Sequence, residues 1–72
     1  MLVEFKDNFG RIWIINTGQI TAFYKDSNRV LIKLSSGDTI DTGHQSLAMA
    51  VNDIFSRPAF IYRPSFEKIL ED

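Results

Sequence analysis

The stretch Arg29-Val30-Leu31-Ile32-Lys33-Leu34-Ser35-Ser36-Gly37-Asp38-Thr39-Ile40-Asp41-Thr42 decides the fold class. Two β-prone runs flank Ser-Ser-Gly-Asp, a group of turn formers. A connection this short joins antiparallel strands. A helix start follows at once: Thr42 lies three residues before Gln45, the spacing of a capping box. The predicted class is α+β, an antiparallel sheet followed by a helix.

Working outward, Leu2 to Lys6 alternates as a first strand, and Asp7-Asn8-Phe9-Gly10 turns the chain. Arg11 to Asn16 is a second strand, apolar on both faces. Thr17-Gly18 breaks it. Ile20 to Lys25 is a third strand, Asp26-Ser27-Asn28 a turn, Arg29 to Leu34 a fourth strand and Thr39 to Asp41 a short fifth. The short connections predict one meander of four to five strands over residues 1–42. Residues 43–57 read as an amphipathic helix with Leu47, Val51, Ile54 and Phe55 on one stripe. Pro58 stops it. Residues 58–72 read as an extended segment, with Ala59 to Tyr62 as a sixth short strand, then a short C-terminal helix that Pro64 opens and Phe66, Ile69 and Leu70 stripe.

The totals bound the function classes. Seventy-two residues make one domain, 1–72, which buries only about 60% of its unfolded surface. The absence of cysteine excludes disulfides and thiolate metal sites. A lone His44 is a poor start for a metal site, and no cofactor is expected. The first residues lack the apolar run of a signal peptide, so the expected location is the cytoplasm. The net charge of -1 argues against strong electrostatic binding of nucleic acid. Its distribution is uneven: residues 1–37 hold five cations against three acids, and residues 38–72 hold three cations against six acids.

Strand alternation sorts the residues into faces. Val3, Phe5, Ile12, Ile14, Ile20, Ala22, Val30, Ile32, Leu34 and Ile40 share a face that the helix covers. The other face receives Arg11, Trp13, Ile15, Phe23, Lys25, Arg29, Leu31 and Lys33, with Glu4, Lys6, Thr21, Thr39 and Asp41. Apolar patches rimmed by polar groups mark contact sites. Trp13, Phe23 and Leu31 are therefore the expected anchors of a partner-binding face, with Ile15 beside them and Arg11, Lys25, Arg29 and Lys33 as its basic rim. Three covers are open: Phe60, Tyr62 and Phe66 of the same chain, a second copy, or a different protein. A strand register off by one would exchange the faces.

No motif assembles a catalytic centre. His44 reads as a first-turn residue near the cap rather than a general base. Asp38 and Asp41 read as a turn acid and a strand-end acid. Gly10, Gly18, Gly37 and Gly43 are separate turn residues, not a phosphate loop. The expectation is a non-enzymatic protein-binding or regulatory module of inhibitor or adaptor type, possible also as a homo-oligomer. The alternative is a nucleic-acid platform on the same aromatic and basic face, stacking bases on Trp13 and Phe23.

The run Gly10-Arg11, Ile15-Asn16 and Ile20, then Val30 to Leu34 and Ser35-Ser36-Gly37-Asp38-Thr39-Ile40, resembles the strand pattern of small flagellar FlbD-like proteins. It is more loosely similar to the first strands of LytTR DNA-binding domains. The resemblance spans roughly residues 9–56. It rests on an Asn after a strand, an Ile at a strand start and a Gly turn. The regulatory and DNA-binding roles of those families are not carried over.

Overall fold

In Leu2-Val3-Glu4-Phe5-Lys6 only Val3 and Phe5 form an apolar alternate pair, so this strand has one possible inner face. In the computed structural model, which describes residues 1–61, it is β1 (Leu2–Lys6). It pairs antiparallel with β2 (Ile12–Asn16), placing Val3 opposite Ile15 and Phe5 opposite Trp13. Val3, Phe5 and Ile15 are buried and Trp13 is half-buried against them. Ile12 and Ile14, expected in the core, lie on the outer face and are exposed. β2 is apolar on both faces, so its own sequence does not choose a side. Its partner chooses, because directly opposed residues share a face.

The expected single meander is divided. Asn16 accepts a hydrogen bond from the Gly18 amide (3.0 Å) and caps a 3₁₀ turn over Thr17–Gln19. Beyond it, β3 (Ile20–Asp26), β4 (Arg29–Leu34) and β5 (Thr39–Asp41) form a separate antiparallel sheet in that order. The Asn8 amide donates to the Asp41 carbonyl and so links the two sheets, whereas the Thr17 amide donates to the Met1 carbonyl and extends the β1–β2 pairing.

A register shift between Ile20 and Ala22 marks a bulge. It places both Ile20, opposite Leu34, and Phe23, opposite Ile32, on the inner face. Strict alternation from Ile20 would have sent Phe23 outward and Ala22 inward, as the sequence led one to expect. The extra bulge residue reverses that parity. Val30, Ile32, Leu34 and Ile40 line the inner face of β4 and β5 as expected.

The helix α1 runs Leu47–Ser56, shorter than the expected 43–57. Its cap is Ser46, whose hydroxyl accepts from the Met49 amide, and not the Thr42/Gln45 box. Thr42 is taken by the sheet: its hydroxyl donates to the Val30 carbonyl at 2.7 Å and accepts from the His44 amide. Only Ala50 and Ile54 of α1 are buried. After the helix, residues 58–61 belong to no helix or strand, so the expected sixth strand does not form over its described residues Ala59 to Ile61; the Phe60 amide donates to the Leu2 carbonyl at the edge of β1. The expected C-terminal helix, with Tyr62 and Phe66, lies outside the described residues. Among the described residues, no helix is long and apolar enough to cross a membrane.

Candidate functional site

The face expected to carry function is not one surface. Trp13, Ile15 and Phe23 turn inward, and Ile15 is buried. Lys25 pairs with Val30 and so shares that inner side, though it is itself exposed. Arg29, Leu31 and Lys33 lie on the outer side of the second sheet, with Tyr24 opposite Leu31. Arg11 stands on the turn of the first sheet, just before β2. The structure thus brings together Arg29, Leu31 and Lys33, and separately Trp13 with Arg11.

Asp7 explains the second grouping. The sequence marks it as a turn former only. Its carboxylate is buried and accepts four hydrogen bonds, each at 2.9 Å: from the Phe9 and Arg11 amides, Arg11 Nε and Trp13 Nε1. The Arg11 guanidinium lies over both the Phe9 and Trp13 rings. Burial raises the Asp7 pKa, but the Trp13 indole, the two amides and the Arg11 side chain outweigh it and hold the pKa at about 2. Trp13 and Arg11 are therefore occupied in closing the β1–β2 turn. Arg29 is likewise engaged, 3.3 Å from the buried Asp41.

A second polar cluster joins α1 to the loop after β5. His44 Nε2 lies 2.8 Å from Asp53 Oδ2, and Arg57 Nη2 lies 3.0 Å from Asp53 Oδ1. Burial raises the Asp53 carboxyl, but the His44 hydrogen bond and the Arg57 charge hold it below the usual carboxylate range. Arg57 also donates to the Glu4 carbonyl and stacks on the Phe5 ring. No side-chain hydroxyl among the described residues engages the other imidazole nitrogen of His44. The cluster ties α1 to β1. A cleft of about 240 Å³ lies between Glu4 and residues 57–61. Among the described residues, no group of three or more His, Asp or Glu is placed to hold a metal ion.

The flank formed by β3 and α1 differs from both clusters. The Val30 amide donates to the His44 carbonyl, the Thr42 amide to the Val30 carbonyl and the Leu34 amide to the Asp38 carbonyl. Val30 and Leu34 therefore direct their backbone groups toward β5. Directions alternate along a strand, so Arg29, Leu31 and Lys33 direct theirs toward β3. Their partners there are Asp26, Tyr24 and Ala22. The amides and carbonyls of Phe23 and Lys25 consequently point away from the sheet, along an edge that no strand of the described residues pairs.

Helix α1 packs beside this strand. Its residues Leu47, Val51 and Phe55, at i, i+4 and i+8, form one stripe that is 43%, 36% and 52% exposed. Phe55 meets Phe23 with ring centroids 6.0 Å apart. Sequence reasoning recognised the stripe but placed it in the core. The signal it missed is width: the apolar arc from Ala50 to Phe55 is broader than the face that the small sheet covers. An open strand edge beside an apolar helix stripe is the arrangement that accepts an added strand. No family model matches the chain, and no curated protein or solved structure is significantly similar to it.

Proposed function

We propose that this chain is a small non-enzymatic protein-binding module, regulatory in the sense of an inhibitor or adaptor, and that it binds through the β3–α1 flank. One observation carries the reading: backbone groups at Phe23 and Lys25 are directed off the sheet edge beside the exposed stripe Leu47, Val51 and Phe55. Unpaired strand edges are templates for another chain. Burying a fully exposed apolar side chain is worth about 1.5–3 kcal/mol, of which these partly exposed side chains still have a fraction to gain. The anchors are therefore reassigned. Phe23 and Lys25 remain in the site as backbone donors and acceptors, and Leu47, Val51 and Phe55 take the role first given to Trp13 and Leu31. The nucleic-acid reading loses its platform, because Trp13 and Phe23 face inward and Arg11 and Arg29 are held by acids.

The test is a photo-crosslinking phenylalanine analogue placed at Val51, with the same analogue at the exposed turn residue Ser36 as the control. A discrete protein adduct from position 51 and none from position 36 supports the reading. No adduct from position 51, or equal labelling from both positions, overturns it.

A further inference from the structure

The flank described above is complementary to itself, and we infer that its occupant is a second copy of this chain. This inference rests on the protein-binding reading and names the partner. In an antiparallel two-fold pairing of β3 with its counterpart, Tyr24 stands opposite Tyr24 of the other copy. Phe23 of each copy then stands opposite Lys25 of the other. This register uses the outward amides and carbonyls of Phe23 and Lys25, and every one of them gains a partner. A register shifted by one residue would present the amides of Ala22 and Tyr24, which already face β4. The inward-facing Lys25 is the kind of edge charge that discourages indiscriminate strand pairing. Here its neighbour across the interface is an aromatic ring, which accepts a cation.

The helix supports the same occupant. A two-fold interface presents the same patch on both sides, so the patch must not repel itself. Asp53 is the one charged residue of α1. It lies on the opposite flank of the helix, paired with Arg57 and in hydrogen-bond contact with His44. The stripe itself is bordered by Ala48 and Asn52, both neutral. A pairing of two residues per strand is a small contact, whereas stable interfaces bury at least about 1,000 Å² in total. The stripe Leu47, Val51 and Phe55 is the adjoining apolar area that a second copy, arriving with its own stripe, buries on both sides.

Sedimentation of the full chain over a range of concentrations tests this. The expected result is a species of twice 8.3 kDa that dissociates on dilution. Lys25→Pro removes an outward amide at an edge position where proline is tolerated, and it should shift the protein to the monomer. Val51→Lys places a like charge on both stripes and should do the same without touching the strand. Circular dichroism should show both variants folded. A wild-type monomer at all concentrations overturns the inference, as does a dimer that survives either substitution in folded protein. The two proposals are separable. A monomer that still forms a cross-link from position 51 to a different protein overturns self-pairing alone. A monomer with no cross-link overturns both readings.

Discussion

The β1–β2 turn and the β3–α1 flank hold similar residue types and use them in opposite ways. At the turn, Phe9, Arg11 and Trp13 surround Asp7, and each polar group that faces the carboxylate is hydrogen-bonded to it. At the flank, Phe23, Lys25 and Phe55 lie beside backbone groups that point off the sheet and beside apolar surface that no described residue covers. An aromatic and basic composition therefore does not mark a site by itself. What distinguishes the flank is the hydrogen-bonding and burial capacity that the fold leaves unused there.

Helix α1 gives the sharpest way to break this comparison. Ile54 is fully buried, so Ile54→Ala should cost about 2–5 kcal/mol through lost contacts and a cavity. Val51→Ala, one turn away on the exposed stripe, should cost less than about 1 kcal/mol in the dilute protein. Chemical denaturation at two protein concentrations measures both. Equal costs would mean that the stripe is ordinary core. A Val51→Ala cost that grows with concentration would tie the stripe to assembly.

The turn makes the complementary prediction. Asp7→Asn removes the charge that holds the Arg11 side chain and replaces one acceptor oxygen with a donor. Its melting temperature should fall by roughly 10 °C, given a sensitivity of about 4–8 °C per kcal/mol for a domain of this size. The pH dependence follows from the depressed carboxyl. A group held at about 2 in the fold and near 3.8 when unfolded binds more protons in the unfolded state. Its stabilisation is present above pH 4 and is lost as pH falls from about 4 to 2. Thermal melts across that window should show a slope in the wild type that Asp7→Asn flattens. An unchanged slope would show that the turn is not held by this charge.

The smallest effect is expected at the end of β3. Ser27 and Asn28 both have positive φ, 49° and 67°, as a two-residue hairpin turn of the primed type requires. Replacing the pair by Asn-Gly, which takes this geometry more readily, should stabilise the hairpin by about 0.5–1 kcal/mol. The variant leaves the β3 edge intact, so the mass in solution should not change. A change in mass would show that the turn, and not the edge, controls association.

The legibility of the chain was uneven, for reasons visible in particular residues. All five strands of the described residues were readable to within a residue, because Gly10, Gly37 and Ser27-Asn28 punctuate runs of β-branched residues. The helix start was misplaced because Thr42 and Ser46 are both competent caps, and only the nearby Val30 carbonyl shows that Thr42 is already engaged. Of the expected site, Phe23 and Lys25 lie on the candidate flank, while Trp13 and Ile15 went to the interior. Leu47, Val51 and Phe55 were read correctly as an apolar stripe and assigned to the wrong environment.

From sequence alone, local chemistry determines the α+β class, the positions of the turns, the apolar stripe of α1 and the lack of any cysteine chemistry. These depend on residues close together in the chain. Which side of β2 and β3 faces inward was decided only in the folded molecule. For β2, the pairing with Val3 and Phe5 made the choice; for β3, one bulged residue reversed the parity. The division of the meander into two sheets, the burial of Asp7 and the open edge at Phe23 and Lys25 depend in the same way on distant partners. Periodicity records that a strand has two faces, but contact with the rest of the chain selects which one is removed from water.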